Sequence, residues 1–302
     1  MTKTWVIVVG AMICCTLWGS AFPCIKIGYR MMEIAAADTA SQILYAGYRF
    51  TLAGVLTIVL GSILQRKILL PKRSSIGKIG LLSLLQTVLQ YLFFYIGLAH
   101  TTGVKASIIE AVSTFVAILV AGYLFHQETV TSRKMLGCLI GFAGVVLVNV
   151  AGSGMDFHFS PAGDGCILLS TVAYAFSSVC MKRFSQKEDP VMLSGYQFIF
   201  GGIVMIACGA AMGGHLKAFT ASAAALLIYM AMISAVAYSL WGMLLKYNPV
   251  SKVTVFGFMN PVIGVILSAL LLNETESLGV SSVLALGLVC VGIYIVNAKD
   301  KE

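Results

Sequence analysis

One acidic side chain, Glu110, lies within the otherwise uncharged apolar run of residues 106–125 (ASIIEAVSTFVAILVAGYLF). A carboxylate at the centre of a membrane helix costs roughly 2.5 to 3.5 kcal/mol on insertion scales, so its presence asks for a partner or a function. Glu110 could bind and release a proton, or it could be the counter-ion of a cationic substrate. The third interpretation is a fixed ion pair with a basic side chain on the same side of the membrane. The candidates for that pair are Lys26, Arg49 and Lys105.

Arg49 is the second charged candidate, and it lies about ten residues into another apolar run. A guanidinium group can bind a carboxylate through two parallel hydrogen bonds, so Arg49 could hold a substrate carboxylate. An architectural role within the helix bundle is the alternative. Glu110 and Arg49 are therefore the residues that we assign to proton coupling or to a counter-ion.

A third group of side chains combines an apolar or aromatic body with a polar tip, and its members lie in the middle third of their apolar runs. Trp and Tyr usually concentrate at the membrane interface, so a set near the midplane is unexpected. It predicts a cavity that accepts a flat ring or a cation through its aromatic faces. Ordinary helix packing, with the polar tips hydrogen-bonded inside the bundle, is the alternative. With Glu110, the candidates for substrate binding are Trp18, Gln90, Tyr91, Tyr174, Tyr238, Trp241 and Asn260.

These residues must be positioned by membrane-spanning helices. The chain has 302 residues, of which 59% are hydrophobic and only 11% charged, with a mean hydropathy of +0.94, whereas about a quarter of a soluble domain is charged. A spanning helix needs about 20 apolar residues. Turn residues and charge clusters divide the chain into ten such stretches, so we predict an all-α integral membrane protein with spans at 4–30, 40–64, 76–100, 104–126, 132–150, 162–184, 190–213, 221–246, 251–273 and 278–297.

The net charge of +8 does not indicate nucleic-acid binding, because the Lys and Arg residues form short clusters between apolar runs. With the N-terminus in the cytoplasm, 15 of the 20 basic residues fall on the inner side, which predicts that both termini are cytoplasmic. The eight cysteines lie in or beside apolar runs without metal-ligand spacing, so we expect no metal site and no cofactor. No nucleotide-binding loop of the type G-x-x-x-x-G-K-[ST] occurs.

The two halves of the chain resemble each other. Residues 48–50 (YRF) with Gly54 recur 148 positions later as residues 196–198 (YQF) with Gly202. Further matches in the same order join 24–26 (CIK) to 180–182 (CMK), 125–129 (FHQET) to 272–275 (LNET), and 144–149 (GVVLVN) to 292–297 (GIYIVN). Each unit, 4–150 and 162–297, holds five helices, so the second must enter the membrane from the opposite face as an inverted repeat. The position equivalent to Glu110 is Phe256, so only the first repeat has an acid at this position.

These residues also resemble the EamA branch of the drug/metabolite transporter superfamily. The resemblance rests on 17–23 (LWGSAFP), 48–50 (YRF), the stretch from Ala106 to Glu128, and the stretch from Asn260-Pro261 to Glu274. It implies a ten-helix inverted-repeat fold with a central cavity lined mainly by the first, third, fourth, sixth, eighth and ninth helices. The family often has an arginine at the position of Arg49, so the resemblance points to an architectural role as much as to carboxylate binding. The first half has 113–115 (STF) where a proline matching Pro261 is common, so a kink in the ninth helix does not imply one in the fourth.

The sequence therefore predicts a secondary-active transporter of the inner or plasma membrane, not an enzyme, whose partners are a small-molecule substrate and the lipid bilayer. From the resemblance we expect export of an amino acid or related compound by alternating access, coupled to an ion gradient or to exchange. The alternative is a transporter of organic cations such as quaternary amines, with Glu110 and the aromatic residues as the cation site. Gly137, Gly141 and Gly144 share a small-residue spacing that predicts close helix packing within a monomer in preference to a homodimer.

Overall fold

The computed structural model of the chain describes residues 1–35, 37–101, 103–150, 159–216, 220–272 and 280–298. Within these ranges the chain forms ten helical rods, which confirms the predicted all-α, ten-helix architecture. They are α1 (Thr4–Met31), α2 (Thr39–Leu64), α3 (Arg73–Leu98), α4 (Gly103–Ala111, Ser113–Leu119 and Val120–Leu124), α5 (Ser132–Val150), α6 (Pro161–Ser185), α7 (Pro190–Ala211), α8 (Ala221–Tyr247), α9 (Val250–Thr254, Val255–Phe258 and Met259–Leu272) and α10 (Val280–Asn297).

Seven of the described helices are long and apolar enough to cross a membrane on their own, namely α1, α2, α3, α4, α6, α7 and α8. Large apolar side chains cover the outside of the bundle, as at Leu64 and Tyr294, whereas Gln197 and Ser194 are fully buried inside it. This distribution of apolar residues outside and polar residues inside suits a bundle surrounded by lipid.

Local signals in the sequence set the helix ends. Asp189 accepts hydrogen bonds from the backbone N–H groups of Val191 and Met192 at 2.8 and 3.1 Å, and Pro190 occupies the first position of α7. Asp38 caps α2 in the same way by accepting from Ser41 N at 3.0 Å. Side-chain acceptors at helix starts satisfy backbone donors that have no partner within the helix, so α2 and α7 each begin where such a residue precedes an apolar run.

The helix ends lie on two faces of the bundle. We call the face where α1 begins and α10 ends the terminal face, and the other side the opposite face. Contacts between helix ends agree with this division: Asn248 Nδ2 donates to Met1 O at 3.2 Å on the terminal face, and His215 N donates to Ser41 Oγ at 2.9 Å on the opposite face.

Close backbone approach between α2 and α7 shows the symmetry of the two repeats. A Cβ atom added at Gly54 would lie 2.5 Å from Gly195 O, and one added at Gly47 would lie 3.0 Å from Gly202 O. The 148-residue offset relates Gly47 to Gly195 and Gly54 to Gly202, so the two contacts exchange under the repeat operation. Because the same pair of positions meets twice in antiparallel helices, α2 and α7 cross on the pseudo-two-fold axis of an inverted repeat.

The pair α5 and α10 has the same property. A Cβ atom at Gly137 would lie 2.9 Å from Gly292 O, and one at Gly144 would lie 2.7 Å from Ala285 O. The offset of 148 relates Gly137 to Ala285 and Gly144 to Gly292. These small residues of α5 therefore face α10 of the same chain, where they permit the close packing that their spacing indicates.

The remaining six helices form two bundles that the repeat operation exchanges. In the first bundle α1 packs along α8 and α9; in the second, α6 packs along α3 and α4. Near the opposite face the second bundle is tied together by Asp164, whose carboxylate accepts hydrogen bonds from Thr101 Oγ1 and from Ser160 N and pairs with Lys105 Nζ at 3.6 Å. The space between the two bundles contains the candidate site.

Candidate functional site

A cavity lies between the two bundles, with a volume of about 160 Å³ available to the centres of water molecules. A single water needs about 10 to 15 Å³ on this measure, so the cavity has room for a small organic molecule. Its wall is formed by α1, α3, α4, α6, α8 and α9, as the family resemblance implies, and also by α2 through Arg49.

The cavity is placed asymmetrically along the membrane normal. Its wall begins at Phe94 and Ser107, about one helical turn from the opposite-face ends of α3 and α4. Its other end lies at Thr114 and Thr254, where α4 and α9 meet and the Thr114 hydroxyl donates to Thr254 O at 3.1 Å. The cavity thus extends toward the opposite face and is closed toward the terminal face.

The structure brings most of the predicted site residues together. Among the cavity-lining residues are Trp18, Arg49, Gln90, Tyr91, Glu110, Tyr174, Tyr238 and Asn260. Trp241 is not part of the wall: it is 2% exposed and packs behind Trp18, with the ring centroids 5.0 Å apart. Trp241 supports the aromatic wall from outside the cavity.

The aromatic residues of the wall form one connected cluster. The ring of Trp18 meets that of Tyr238 edge to face at 5.1 Å between centroids. The hydroxyl of Tyr238 is hydrogen-bonded to the hydroxyl of Tyr91 at 2.8 Å, which links the two bundles through α8 and α3. Edge-to-face contacts and a mutual hydroxyl bond hold these rings in fixed orientations, so the wall is largely preformed.

Arg49 is buried, with 4% of its surface exposed, and it is surrounded by rings. Its guanidinium carbon lies 4.3 Å from the ring centroid of Phe50 and 5.7 Å from that of Tyr91. The ion pairs among the described residues do not include Arg49, and its Nε has no hydrogen-bond partner among them. The rings hold the cation in place but do not neutralise it, which leaves its charge available to an anionic group in the cavity.

Glu110 contributes the opposite charge. It lies seven residues into α4, and no described ion pair includes it. Lys105, one of the basic residues considered as its partner, pairs with Asp164, and Arg49 lies against aromatic rings. The described residues therefore do not show the fixed ion pair that was one interpretation of this acid.

Several buried polar atoms at the cavity have no hydrogen-bond partner within the described part of the chain. They are Trp18 Nε1, Gln90 Oε1 and Asn260 Oδ1. A buried polar atom without a partner costs free energy, roughly 1 to 3 kcal/mol, which a ligand or an ordered water can recover. The wall therefore presents donors and acceptors to whatever occupies the cavity.

Both helices at the closed end are interrupted next to the cavity. In α4 the regular helix breaks at Val112, whose N–H bonds to Ile109 O at 3.0 Å in a tighter turn. In α9 residues Val255–Phe258 form a 3₁₀ turn just before Pro261. The proline explains the second interruption because it lacks an N–H donor, but α4 is interrupted without one. Broken helices at the midplane of inverted repeats are typical of transporter binding sites.

Sequence reasoning missed the small hydroxyl residues of the wall, such as Ser107, Ser170, Thr171 and Ser234. In an apolar helix a hydroxyl commonly bonds back to its own helix, as Thr171 Oγ1 does to Ile167 O at 2.8 Å. One signal could have indicated them: Ser170 and Ser234 each precede a wall tyrosine, Tyr174 or Tyr238, by four residues and therefore lie on the same helix face.

Comparisons with known proteins agree with this architecture. The EamA-like transporter family model matches residues 5–150 and again residues 161–298. An uncharacterized transporter of Archaeoglobus fulgidus is 27% identical over 98% of this chain and 99% of its own length. The uncharacterized transporter YvbV of Bacillus subtilis is 26% identical over 94% of this chain and 89% of its own length, and the uncharacterized inner membrane transporter YedA of Escherichia coli K12 is 28% identical over 94% and 90%. A protein of known crystal structure shares the fold, with a TM-score of 0.80 and 16% identity over 98% of this chain and 97% of that one.

Proposed function

The chain belongs to the EamA-like transporter family, and from this premise we propose that it exports a small zwitterionic metabolite of the amino-acid class by alternating access. As a member of this family it is a multi-pass membrane transporter. The finer assignment concerns the substrate, the direction and the energy source. We propose export because the family resemblance implies it, and we infer the substrate class from the residues that line the cavity.

The observation that carries the substrate class is the presence of two opposite charges in one cavity, Arg49 and Glu110, which are not paired with each other. Two such groups would normally neutralise each other if the helices allowed it, since an isolated buried charge is costly. A zwitterion satisfies both, with its carboxylate at Arg49 and its ammonium group at Glu110. The unpartnered Asn260 Oδ1 and Gln90 Oε1 would accept further hydrogen bonds from the ammonium group.

The relation between the two bundles supports alternating access. The repeat operation exchanges α1, α8 and α9 with α6, α3 and α4, so a structure closed at the terminal face has a counterpart closed at the opposite face. Uphill transport by a chain without a nucleotide-binding loop takes its energy from an ion gradient or from exchange. In our proposal Glu110 carries the coupling proton whenever the ammonium group is absent.

An organic cation is the second candidate substrate. It is favoured by the rings of Trp18, Tyr174 and Tyr238, which line the same cavity as the Glu110 carboxylate. A quaternary amine would bind to aromatic faces and to an anion, but it has no carboxylate for Arg49 to bind. The two candidates therefore differ in whether a carboxylate on the ligand improves binding.

The proposal also covers topology and assembly. We place both termini in the cytoplasm of a cell with the protein in its inner or plasma membrane, because basic residues concentrate on the terminal face. A monomer is the proposed transport unit, since one chain contains the whole cavity, and no catalytic activity is proposed. The orientation is tested with single cysteines near Thr4 and near Ala221 at the start of α8, labelled with a membrane-impermeant reagent in intact and in permeabilised cells. We expect the cysteine near Ala221 to react in intact cells and the one near Thr4 only after permeabilisation.

The experiment that tests the substrate class is a thermal-shift screen of the purified protein, because a ligand that binds the folded form stabilises it by mass action. The screen compares compounds that differ in which charges they carry: an amino acid, its amide or methyl ester, its deaminated acid, and a choline-like cation. We expect stabilisation only by compounds that carry both charges, followed by their transport in proteoliposomes. Equal stabilisation by the choline-like cation, lost in Trp18→Ala and Glu110→Gln, would instead establish the second candidate.

A further inference from the structure

The end of α4 and the beginning of α9 are joined by a buried carboxylate on the terminal face. Glu128, which follows α4, accepts hydrogen bonds from Ser251 N at 2.9 Å and from Ser251 Oγ at 2.5 Å. Its side chain is 4% exposed. Ser251 lies in the first turn of α9, whose backbone N–H groups have no partner within the helix, so Glu128 acts as a cap supplied by the other bundle.

This contact lies where the cavity is closed. The helices α4 and α9 approach each other mainly between Ser113–Leu119 and Val250–Phe258, on the terminal side of the cavity. Two polar contacts bridge the approach: the Thr114 hydroxyl donates to Thr254 O at the end of the cavity, and Ser251 donates to Glu128 on the terminal face. Opening the cavity to the terminal face requires these two helices to separate, which breaks both contacts.

We propose that Glu128 and Ser251 form the latch of the terminal-face gate, and that this latch sets how often the cavity opens to that face. The inference rests on the alternating access of the proposed function, but not on the identity of the substrate. Charge-assisted hydrogen bonds in a buried setting are stronger than neutral ones, so this contact is suited to bias an equilibrium between two arrangements.

The surroundings of Glu128 make the latch reversible. Lys134, on α5, donates from Nζ to Glu128 Oε2 at 3.0 Å and to Thr129 O at 2.7 Å. These contacts lie within the first repeat, so they persist when α9 moves away. The carboxylate therefore keeps a cationic partner in the open state, and separation does not leave a buried charge unpaired.

The test measures access to the gate directly. A reporter cysteine at Ala117, which is 1% exposed and lies one turn from Thr114 on α4, is labelled with a water-soluble maleimide in the purified full-length protein without substrate. The parent protein without the reporter gives the background from the native cysteines. We expect Glu128→Ala to raise the labelling rate of the reporter by roughly tenfold or more, because two charge-assisted hydrogen bonds are lost. Ser251→Ala removes only the hydroxyl bond and should give a smaller increase.

The matched control is Glu188→Gln, since Glu188 is also acidic and lies on the terminal face but pairs with Lys78 away from the α4–α9 contact. Its labelling rate should equal that of the parent reporter. Glu128→Gln keeps the shape of the side chain, so it reports on the latch if the alanine variant does not fold. Labelling at the parental rate in folded Glu128→Gln and Ser251→Ala proteins would overturn the latch. The labelling is done without substrate, so that result would not bear on the substrate class. The thermal-shift series tests the substrate class separately.

Discussion

Glu110 and Phe256 occupy equivalent positions of the two repeats, 146 residues apart, yet Glu110 lines the cavity while Phe256 is 2% exposed and is not among the residues that line it. The α9 segment with Phe256 packs against α1, where Cys15 Sγ donates to Phe256 O at 3.2 Å. In the proposed alternating access, an exchange of the two repeat conformations would give Glu110 an environment like that of Phe256. A buried carboxylate would enter such surroundings only with a bound proton or an ammonium group, so we expect Glu110 to couple the movement to one of them.

The first prediction follows from this relation. Glu110→Gln carries a permanently neutral side chain of the same shape, so it can undergo the exchange without a proton or an ammonium group. We expect transport driven by a pH gradient to fall at least tenfold in proteoliposomes, with its dependence on pH removed. Unchanged rates and unchanged pH dependence would assign Glu110 a purely structural role.

The second prediction concerns Arg49, which rings hold in place without neutralising it. Arg49→Lys keeps the charge but loses the planar group that stacks on Phe50 and binds a carboxylate through two bonds. We expect the affinity for an amino acid to fall about tenfold or more, while that for its amide changes little, measured by thermal shift across ligand concentrations. Tyr48→Phe is the control, because Tyr48 is the neighbouring residue and is 44% exposed on the outside of the bundle. Equal losses for the acid and the amide would indicate an architectural Arg49.

The third prediction tests the pseudo-two-fold axis between α2 and α7. An added Cβ at Gly54 would lie 2.5 Å from Gly195 O and 2.7 Å from Ile199 N, so the two backbones must move apart. We expect Gly54→Ala to destabilise the protein by about 1 to 3 kcal/mol, seen as a lower melting temperature in detergent. Gly80→Ala is the control, since nothing lies within 4 Å of a Cβ there, and alanine is the better helix former by about 1 kcal/mol. Similar melting of the two variants would mean that α2 and α7 tolerate separation.

The helices were predictable because charges and turn residues interrupt long apolar runs, and the structure places most helix ends within two residues of the predicted ones. The repeat was predictable because short motifs recur in the same order in both halves, although the match at Asn273, Glu274 and Thr275 lies outside the described residues. The level of the cavity was predictable from counting along each helix. Where the cavity stops was not, because that depends on the conformation adopted and not on composition. Trp241 illustrates this: it lies one turn beyond Tyr238, on the closed side, and packs behind the wall.

The interruption of α4 could not be predicted either. The sequence around Val112 contains no proline or glycine, and the π-helical turn of α3 at Ser83–Leu89 has none as well. Such irregular turns arise from packing against neighbouring helices, as where Ser83 Oγ donates to Gln197 O at 3.0 Å. Local sequence patterns do not contain the partner helix, so they cannot report the distortion that it causes.

The fourth prediction concerns Glu188, in the turn between α6 and α7 outside the spanning helices. Lys78 Nζ donates to Glu188 Oε1 at 2.6 Å, and this hydrogen bond lowers the pKa of the Glu188 carboxyl below its ordinary value. Because the folded-state pKa lies below that of the unfolded chain, the pair stabilises fully above about pH 4.3, the ordinary pKa of Glu, and its contribution is lost as the pH falls through the folded-state pKa.

Glu188→Gln should therefore lose less stability than the parent protein between pH 6 and pH 3, by less than about 1 kcal/mol because the pair lies near the surface. Melting temperatures across this range provide the measurement. Lys78→Met should give the same flattening if the pair is its cause. A different pH profile for the two variants would assign the effect to other groups.

The fifth prediction concerns Asn260, the repeat equivalent of Thr114 at the same 146-residue offset. Thr114 donates to Thr254 O at the closed end of the cavity, and the corresponding carbonyl for Asn260 belongs to Ile108 on α4. By the pseudo-symmetry, the Asn260 amide should donate to that carbonyl when α4 and α9 close at the opposite face, whereas here it lines the cavity with Oδ1 unpartnered.

Asn260→Ala should then destabilise the state open to the terminal face and lower the labelling of a cysteine at Ala117, the reverse of the effect of Glu128→Ala. Asn260→Thr, which copies the side chain of Thr114, should restore labelling in part. A rise in labelling with Asn260→Ala would contradict an exchange of equivalent hydrogen bonds between the two faces.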